Sequence, residues 1–143
     1  MAEDKKNGYY VLTKNINATQ PYRYVLKAPN HETILSSENY TTSRNARNGI
    51  ESTRVNGIVE EHFEKRTSKA DEPYFVLKAT NGEIIGVSEM YSSTNACEHG
   101  IKAVIKYAAQ ASLVDETGSD GDNGSEGPVI TNNPVRSKSN KYA

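Results

Sequence analysis

A single cysteine, Cys97, excludes an internal disulfide, and no two of the three histidines are spaced as zinc ligands. No uninterrupted apolar run approaches the ~20 residues needed to span a bilayer. The opening residues, MAEDKKNG, lack the apolar stretch of a secretory signal. These absences point to the cytoplasm. An excess of one charge is also missing: up to Val114, fourteen lysines and arginines face thirteen acids. Such a body is a poor trap for duplex nucleic acid, which needs a basic face to displace counterions. Large apolar residues become scarce beyond Asp115. Five acids fall between Asp115 and Glu126, followed by Arg136, Lys138 and Lys141. Glycine, serine and acid at this density predict a disordered tail over 117–143, and a flexible N-terminus is expected over 1–7. A calcium loop does not fit the tail, because with Asp120 as the first position Gly124 takes the fifth place rather than the sixth and no helix is expected to flank it.

What the chain does have is one phrase written twice. SENYTTSRNARNGI at Ser37–Ile50 returns as SEMYSSTNACEHGI at Ser88–Ile101, and a shift of 51 positions aligns Tyr24–Asn56 with Phe75–Tyr107 without a gap. VLKA at Val25–Ala28 falls on VLKA at Val76–Ala79, and Glu32, Ile34, Tyr40 and Gly49 meet Glu83, Ile85, Tyr91 and Gly100. Two units are too few for a solenoid, so a pseudo-two-fold single domain is expected, with unit one over 8–58 and unit two over 59–116.

Each unit reads strand, turn, strand, helix. The pairs of apolar runs flank Pro29-Asn30-His31 and Thr80-Asn81-Gly82, which suit a type I turn followed by a left-handed residue at His31 and Gly82. In that register Leu77 faces Ile85, Phe75 faces Val87, Leu26 faces Ile34 and Tyr24 faces Ser36 on the inward side. Arg23, Val25, Lys27, Thr33 and Leu35, with Tyr74, Val76, Lys78, Ile84 and Gly86, then form an outward face that is unusually apolar. Helices are predicted at about Ser43–Val55 and Thr94–Ala108, capped by Ser43 and by Ser93 or Thr94. Their stripes are Ala46, Ile50, Thr53 and Cys97, Ile101, Val104, Ile105, Ala108. Gly49 and Gly100 lie inside these helices at a cost of about 1 kcal/mol each. Close packing is the favoured reason, with a backbone surface lent to a ligand as the alternative. Further strands are expected at Tyr9–Lys14, Val59–Arg66 and Ala111–Val114.

The two phrases YVLKAPNHETILSSENYTTSRNARNGIES and YFVLKATNGEIIGVSEMYSSTNACEHGIKAV closely resemble the YegP-like family, small bacterial proteins of unknown function, over roughly Gly8 to Glu116. The resemblance implies an α+β fold of two tandem β3-α-β repeats with a shared antiparallel sheet and the last strands exchanged between repeats. It brings no reaction, cofactor, metal or catalytic residue. Pro29, Thr80 and the tail depart from the family pattern.

The residues themselves offer little chemistry. Cys97 lies on an apolar helix face where its counterpart in the other unit is Ala46, His99 matches Asn48 and His31 matches Gly82, so neither imidazole belongs to the repeated framework. The repeated Lys27/Lys78, Glu32/Glu83, Glu38/Glu89 and Tyr40/Tyr91 read as structural. A non-enzymatic interaction module is therefore expected, binding a protein partner or a second copy through Arg23, Val25, Lys27, Leu35, Tyr74, Val76, Lys78 and Ile84. Single-stranded nucleic acid on the sheet-borne tyrosine and basic residues is the alternative. An uncharacterised enzyme resting on Cys97, His99 and the Glu–Tyr pairs comes third.

Overall fold

The computed structural model describes residues 6–118. Met1–Lys5 and Ser119–Ala143 lie outside it, and with them most of the expected flexible N-terminus and disordered tail. The elements run β1 (Tyr9–Lys14), β2 (Tyr22–Lys27), β3 (Thr33–Ser37), α1 (Ser43–Asn56), β4 (Phe63–Thr67), β5 (Pro73–Lys78), β6 (Ile84–Val87), α2 (Thr94–Tyr107) and β7 (Ser112–Asp115). All seven strands join one sheet in the order β4-β5-β6-β3-β2-β1-β7. Unit two's last strand thus crosses to unit one, as an exchange of strands requires. Its pairing with β1 is parallel, the one exception in an otherwise antiparallel sheet. The sheet is mixed rather than purely antiparallel. The strand expected at Val59–Arg66 also begins late, because Glu60–His62 form a short 3-10 turn first.

Both hairpins carry the turn their sequences ask for. His31 (φ 76°) and Gly82 (φ 89°) are left-handed. The amides of Ala28 and Ala79 donate to the carbonyls of Glu32 and Glu83, each at 2.9 Å. The repeated asparagines earn their place here, since Asn30 and Asn81 Oδ1 accept from the amides of Glu32 (3.0 Å) and Glu83 (2.9 Å). One residue pair further on, the register departs from expectation. Lys27 pairs with Thr33, but Leu26 pairs with Leu35, and in unit two Lys78 pairs with Ile84 while Leu77 pairs with Gly86. A bulge absorbs Ile34 in one unit and Ile85 in the other. Both bulged residues and both that follow them are buried, so Leu35 and Gly86 belong to the core and not to the outward face. Ser36 and Val87 point outward in their place.

Ser37 and Ser88 end the repeated hairpins identically. Each hydroxyl accepts from a backbone amide of the neighbouring strand, Tyr24 or Phe75, at 2.9 Å, and donates to the carbonyl of the next glutamate. The helix caps are Thr42 and Ser93, whose oxygens accept from Asn45 and Ala96 at 3.0 Å. The first cap sits one residue before the serine expected there.

Both helices pack on one side of the sheet, α1 over β2 and β6, α2 over β5 and β3. The glycines inside them now have a cause. The hydroxyl of Tyr40 lies 2.3 Å from where a Cβ on Gly49 would stand, and that of Tyr91 lies 2.2 Å from a Cβ on Gly100. The repeated tyrosine and the repeated glycine are one contact made twice. At the pseudo-axis two equivalent pairs meet themselves: Leu35 leans over Gly86, and Gly57 faces the Cβ of Ala108. The buried hydroxyls of Tyr10, Tyr24 and Thr53 are answered, with Tyr10 donating to the Ala108 carbonyl at 2.6 Å and Tyr24 meeting Thr53, which in turn donates to the Gly49 carbonyl.

Candidate interaction face

Two helices on one side leave the other side of a seven-stranded sheet with no described element over it. The registers place one residue of every strand in a single row across this face: Val114, Val11, Val25, Ser36, Val87, Val76 and Glu64. Five of the seven are valines. Above and below them stand Arg23 with Thr13, Lys27 with Tyr9, Lys78 with Ile84, and Tyr74 with Arg66.

The two halves differ in charge. On unit two, Glu64 accepts from Lys78 Nζ at 2.5 Å and from Arg66 Nε at 3.0 Å. These two hydrogen bonds hold its carboxyl far below the usual carboxylate range, at about 2. Lys78 is therefore already engaged. On unit one, no carboxylate among the described residues lies within ion-pairing distance of Arg23 or Lys27. Beside Lys27, the Tyr9 hydroxyl meets His31 Nδ1 at 2.7 Å, which fixes that ring against the turn.

Of the residues assigned to this face from the sequence, Arg23, Val25, Lys27, Tyr74, Lys78 and Ile84 are there and half-buried. Leu35 is not; the bulge turns it into the core, where it is 1% exposed. Val76 has the expected direction but is only 2% exposed, covered by its own neighbours. Val87, Ser36, Val11 and Val114 belong to the row and were missed. The first two depend on the bulge, and the last two on the pairing of β1 with β7. Neither has a local sequence signal.

The residues weighed for catalysis are not brought together. Cys97 is buried in the core cluster while His99 is exposed on the same helix. Burial pushes the Cys97 thiol up from its ordinary value, so little thiolate forms at neutral pH. Cys97 is expected to resist a thiol-specific reagent such as DTNB in the native protein and to react within minutes in denaturant; fast native labelling would contradict its burial. Among the described residues, no group of three or more His, Cys, Asp or Glu is placed to hold a metal. No described helix is long and apolar enough to cross a membrane.

Taken together, these features define a class: a tandem-duplicated α+β protein with one helix-covered and one open sheet face. The family model described as a domain of unknown function, DUF1508, matches twice, at residues 19–64 and 68–115. The chain belongs to this family. It is 46% identical over 111 residues to a UPF0339 protein of Shewanella oneidensis, covering 78% of this chain and 99% of the relative. To the UPF0339 protein YegP of Yersinia pestis it is 44% identical, covering 77% and 96%. Two solution NMR structures share the fold. YegP of Escherichia coli has a TM-score of 0.71 at 42% identity, covering 79% of this chain and 96% of that one. The Shewanella oneidensis UPF0339 structure gives 0.72 at 45%, covering 80% and 95%. These relatives are themselves of unknown function, and the family has no known catalytic role.

Proposed function

We propose that this protein is a non-enzymatic interaction module of the cytoplasm that binds an acidic polypeptide partner across its open sheet face. One observation carries the reading. A face with no described element over it presents a row of small apolar side chains, and beside them Arg23 and Lys27 have no counter-charge among the described residues. An acidic chain laid along unit one gains apolar contact from Val11, Val25 and Val114 and salt-bridge partners from the two bases.

The test is affinity capture with three baits: the native chain, Val25→Lys/Val87→Lys on the open face, and Lys102→Glu on the exposed side of α2. A specific partner retained by the first and third but reduced about tenfold or more with the second supports the reading, a loss of ~1.4 kcal/mol or more. Equal capture by all three overturns it. Val76 is left alone because a lysine there buries an unpaired charge and threatens the fold itself.

A further inference from the structure

The two ends of the sheet differ, although the strands that lead to them correspond. Leu26 and Leu77 are 51 residues apart and equivalent; Tyr10 pairs with the first and Phe63 with the second. β4 is therefore the pseudo-symmetric counterpart of β1. Yet β1 carries β7 on its outer side, and no described strand lies against the outer side of β4. Burial differs accordingly, with Tyr10 fully enclosed and Phe63 only half-buried. Which backbone groups of β4 look outward follows from the strand behind it. Phe75 turns towards β6, its amide donating to Ser88 Oγ and its carbonyl accepting from the Ser88 amide, each at 2.9 Å. Its partner on β4 is Lys65, so that pair exchanges no hydrogen bond, and Lys65 turns its amide and carbonyl away from β5. Phe63 and Thr67, two residues to either side, are in the same phase. The Phe63 amide is spent on the Glu60 carbonyl. The Phe63 carbonyl, both groups of Lys65 and both of Thr67 face outward.

We propose that this edge joins a second copy of the chain, β4 against β4 and antiparallel about Lys65, so that two sheets become one across a two-fold axis. The inference is independent of what the open face binds. Charge selects the occupant. From Glu60 to Lys69 the acids come first, at Glu60, Glu61 and Glu64, and the bases last, at Lys65, Arg66 and Lys69. Turned against itself, such a segment is its own complement. With Lys65 opposite Lys65, Glu64 stands opposite Arg66, Glu61 faces Lys69, and symmetry makes each pair twice. Laid parallel in register, acid would meet acid. The backbone agrees with the charges: each Lys65 donates to and accepts from the other, and each Thr67 amide donates to the other copy's Phe63 carbonyl. Phe63 then lies opposite Thr67 of the second copy and under the stem of its Lys65, which covers the ring. An inward-facing lysine on an edge strand ordinarily keeps other chains away. Here Lys65 is neutralised by Glu98 of α2 in its own copy, so the two lysines arrive with their counter-charges. The opposite edge lacks this property. β7 carries a single charged side chain, Asp115, which Arg47 holds, so β7 laid against itself makes no ion pair. A seam one short strand long belongs with small, concentration-dependent interfaces.

Analytical ultracentrifugation of the full-length protein from about 10 μM to about 1 mM tests the proposal, since a seam of this size calls for dimerisation in that range. The native chain is compared with Glu61→Lys, Lys69→Glu, the exchanged pair Glu61→Lys/Lys69→Glu, and Thr67→Pro. Glu61 and Lys69 are exposed, and the Thr67 amide does not bond β5, so none of these changes removes a contact of the core. Native dimers are expected at the upper concentrations, with the Lys65 and Thr67 amides exchanging more slowly there and β7 unchanged. Each single charge reversal should weaken dimerisation about fivefold or more at low salt, and the exchanged pair should restore it. Thr67→Pro should weaken it about tenfold or more by removing a donor and placing a ring in the seam. A monomeric mass throughout overturns the proposal. So does a dimer indifferent to all four variants, or one lost in Val25→Lys/Val87→Lys and kept in the edge variants, which assigns self-association to the open face. Protection of the Lys65 and Thr67 amides that is independent of concentration also overturns it and assigns the edge to the chain itself.

Discussion

Gly49→Ala will destabilise the protein by about 1–3 kcal/mol, although alanine is the better helix former by roughly 1 kcal/mol. The added methyl meets the Tyr40 hydroxyl at 2.3 Å, its Cζ at 2.8 Å and Tyr24 Cε2 at 3.1 Å. Tyr40 has little freedom to retreat. Its ring is buried and stacked on Tyr24, and its backbone amide and carbonyl are both bonded to Tyr22. Gly100→Ala makes nearly the same collision, with the Tyr91 hydroxyl at 2.2 Å. Tyr91, however, is half-buried and bonded to its neighbouring strand through its amide at Pro73, so it has a way out towards solvent. The second substitution is expected to cost less than the first. Thermal unfolding followed by circular dichroism reads both, with Tm falling by roughly 5–15 °C for Gly49→Ala. Adding Tyr40→Phe removes the nearest atom and should restore part of the loss. A Gly49→Ala protein as stable as the native chain would mean that the tyrosine is not held where the structure puts it.

That contact also shows what the sequence made legible and what it did not. Duplication at a spacing of 51 exposed the tandem fold, the turn type at His31 and Gly82, and a packing cause for the helix glycines. Each is either a local preference or a repeated residue, and repetition marks a residue as part of the framework. The identity of the glycine's neighbour is a tertiary fact, although Tyr40 and Tyr91 were visible as repeated residues. The bulges at Ile34 and Ile85 were not legible, because the Leu26–Leu35 and Leu77–Gly86 pairings are settled by which side chains the helices cover. One missed residue in each hairpin reversed the side of everything after it. That is why Leu35 was assigned to the open face and Val87 was not. Nor does any local pattern announce that Ser112–Asp115 pairs parallel to β1 across the unit boundary. The open face was foreseeable as a face, but its membership was not.

The same bulge sets up the second large effect, at the pseudo-axis itself. Leu35 and Gly86 are equivalent positions that touch, and a Cβ on Gly86 would stand 2.8 Å from Leu35 Cγ and Cδ2 and 3.0 Å from Cδ1. Two leucines cannot share this space, and two glycines would leave it empty, so the duplicated sequence had to become unequal here. Gly86→Leu alone is expected to cost at least ~1–3 kcal/mol through overpacking. Leu35→Gly alone should cost about 3–5 kcal/mol, combining the cavity left by a buried leucine with the backbone freedom of glycine. The exchanged variant, Leu35→Gly/Gly86→Leu, should recover most of what either single change loses. Rotation about the pseudo-axis exchanges the helix that packs on β3 with the one that packs on β6, and their buried residues match: Ala46, Ile50 and Thr53 of α1 correspond to Cys97, Ile101 and Val104 of α2, similar in size position by position. Denaturant unfolding of the four proteins closes a double-mutant cycle, and the coupling energy should exceed ~2 kcal/mol in favour of the exchanged pair. If the double variant is no more stable than its worse parent, the two halves of the core are not interchangeable at the axis, and the pseudo-symmetry stops at the backbone.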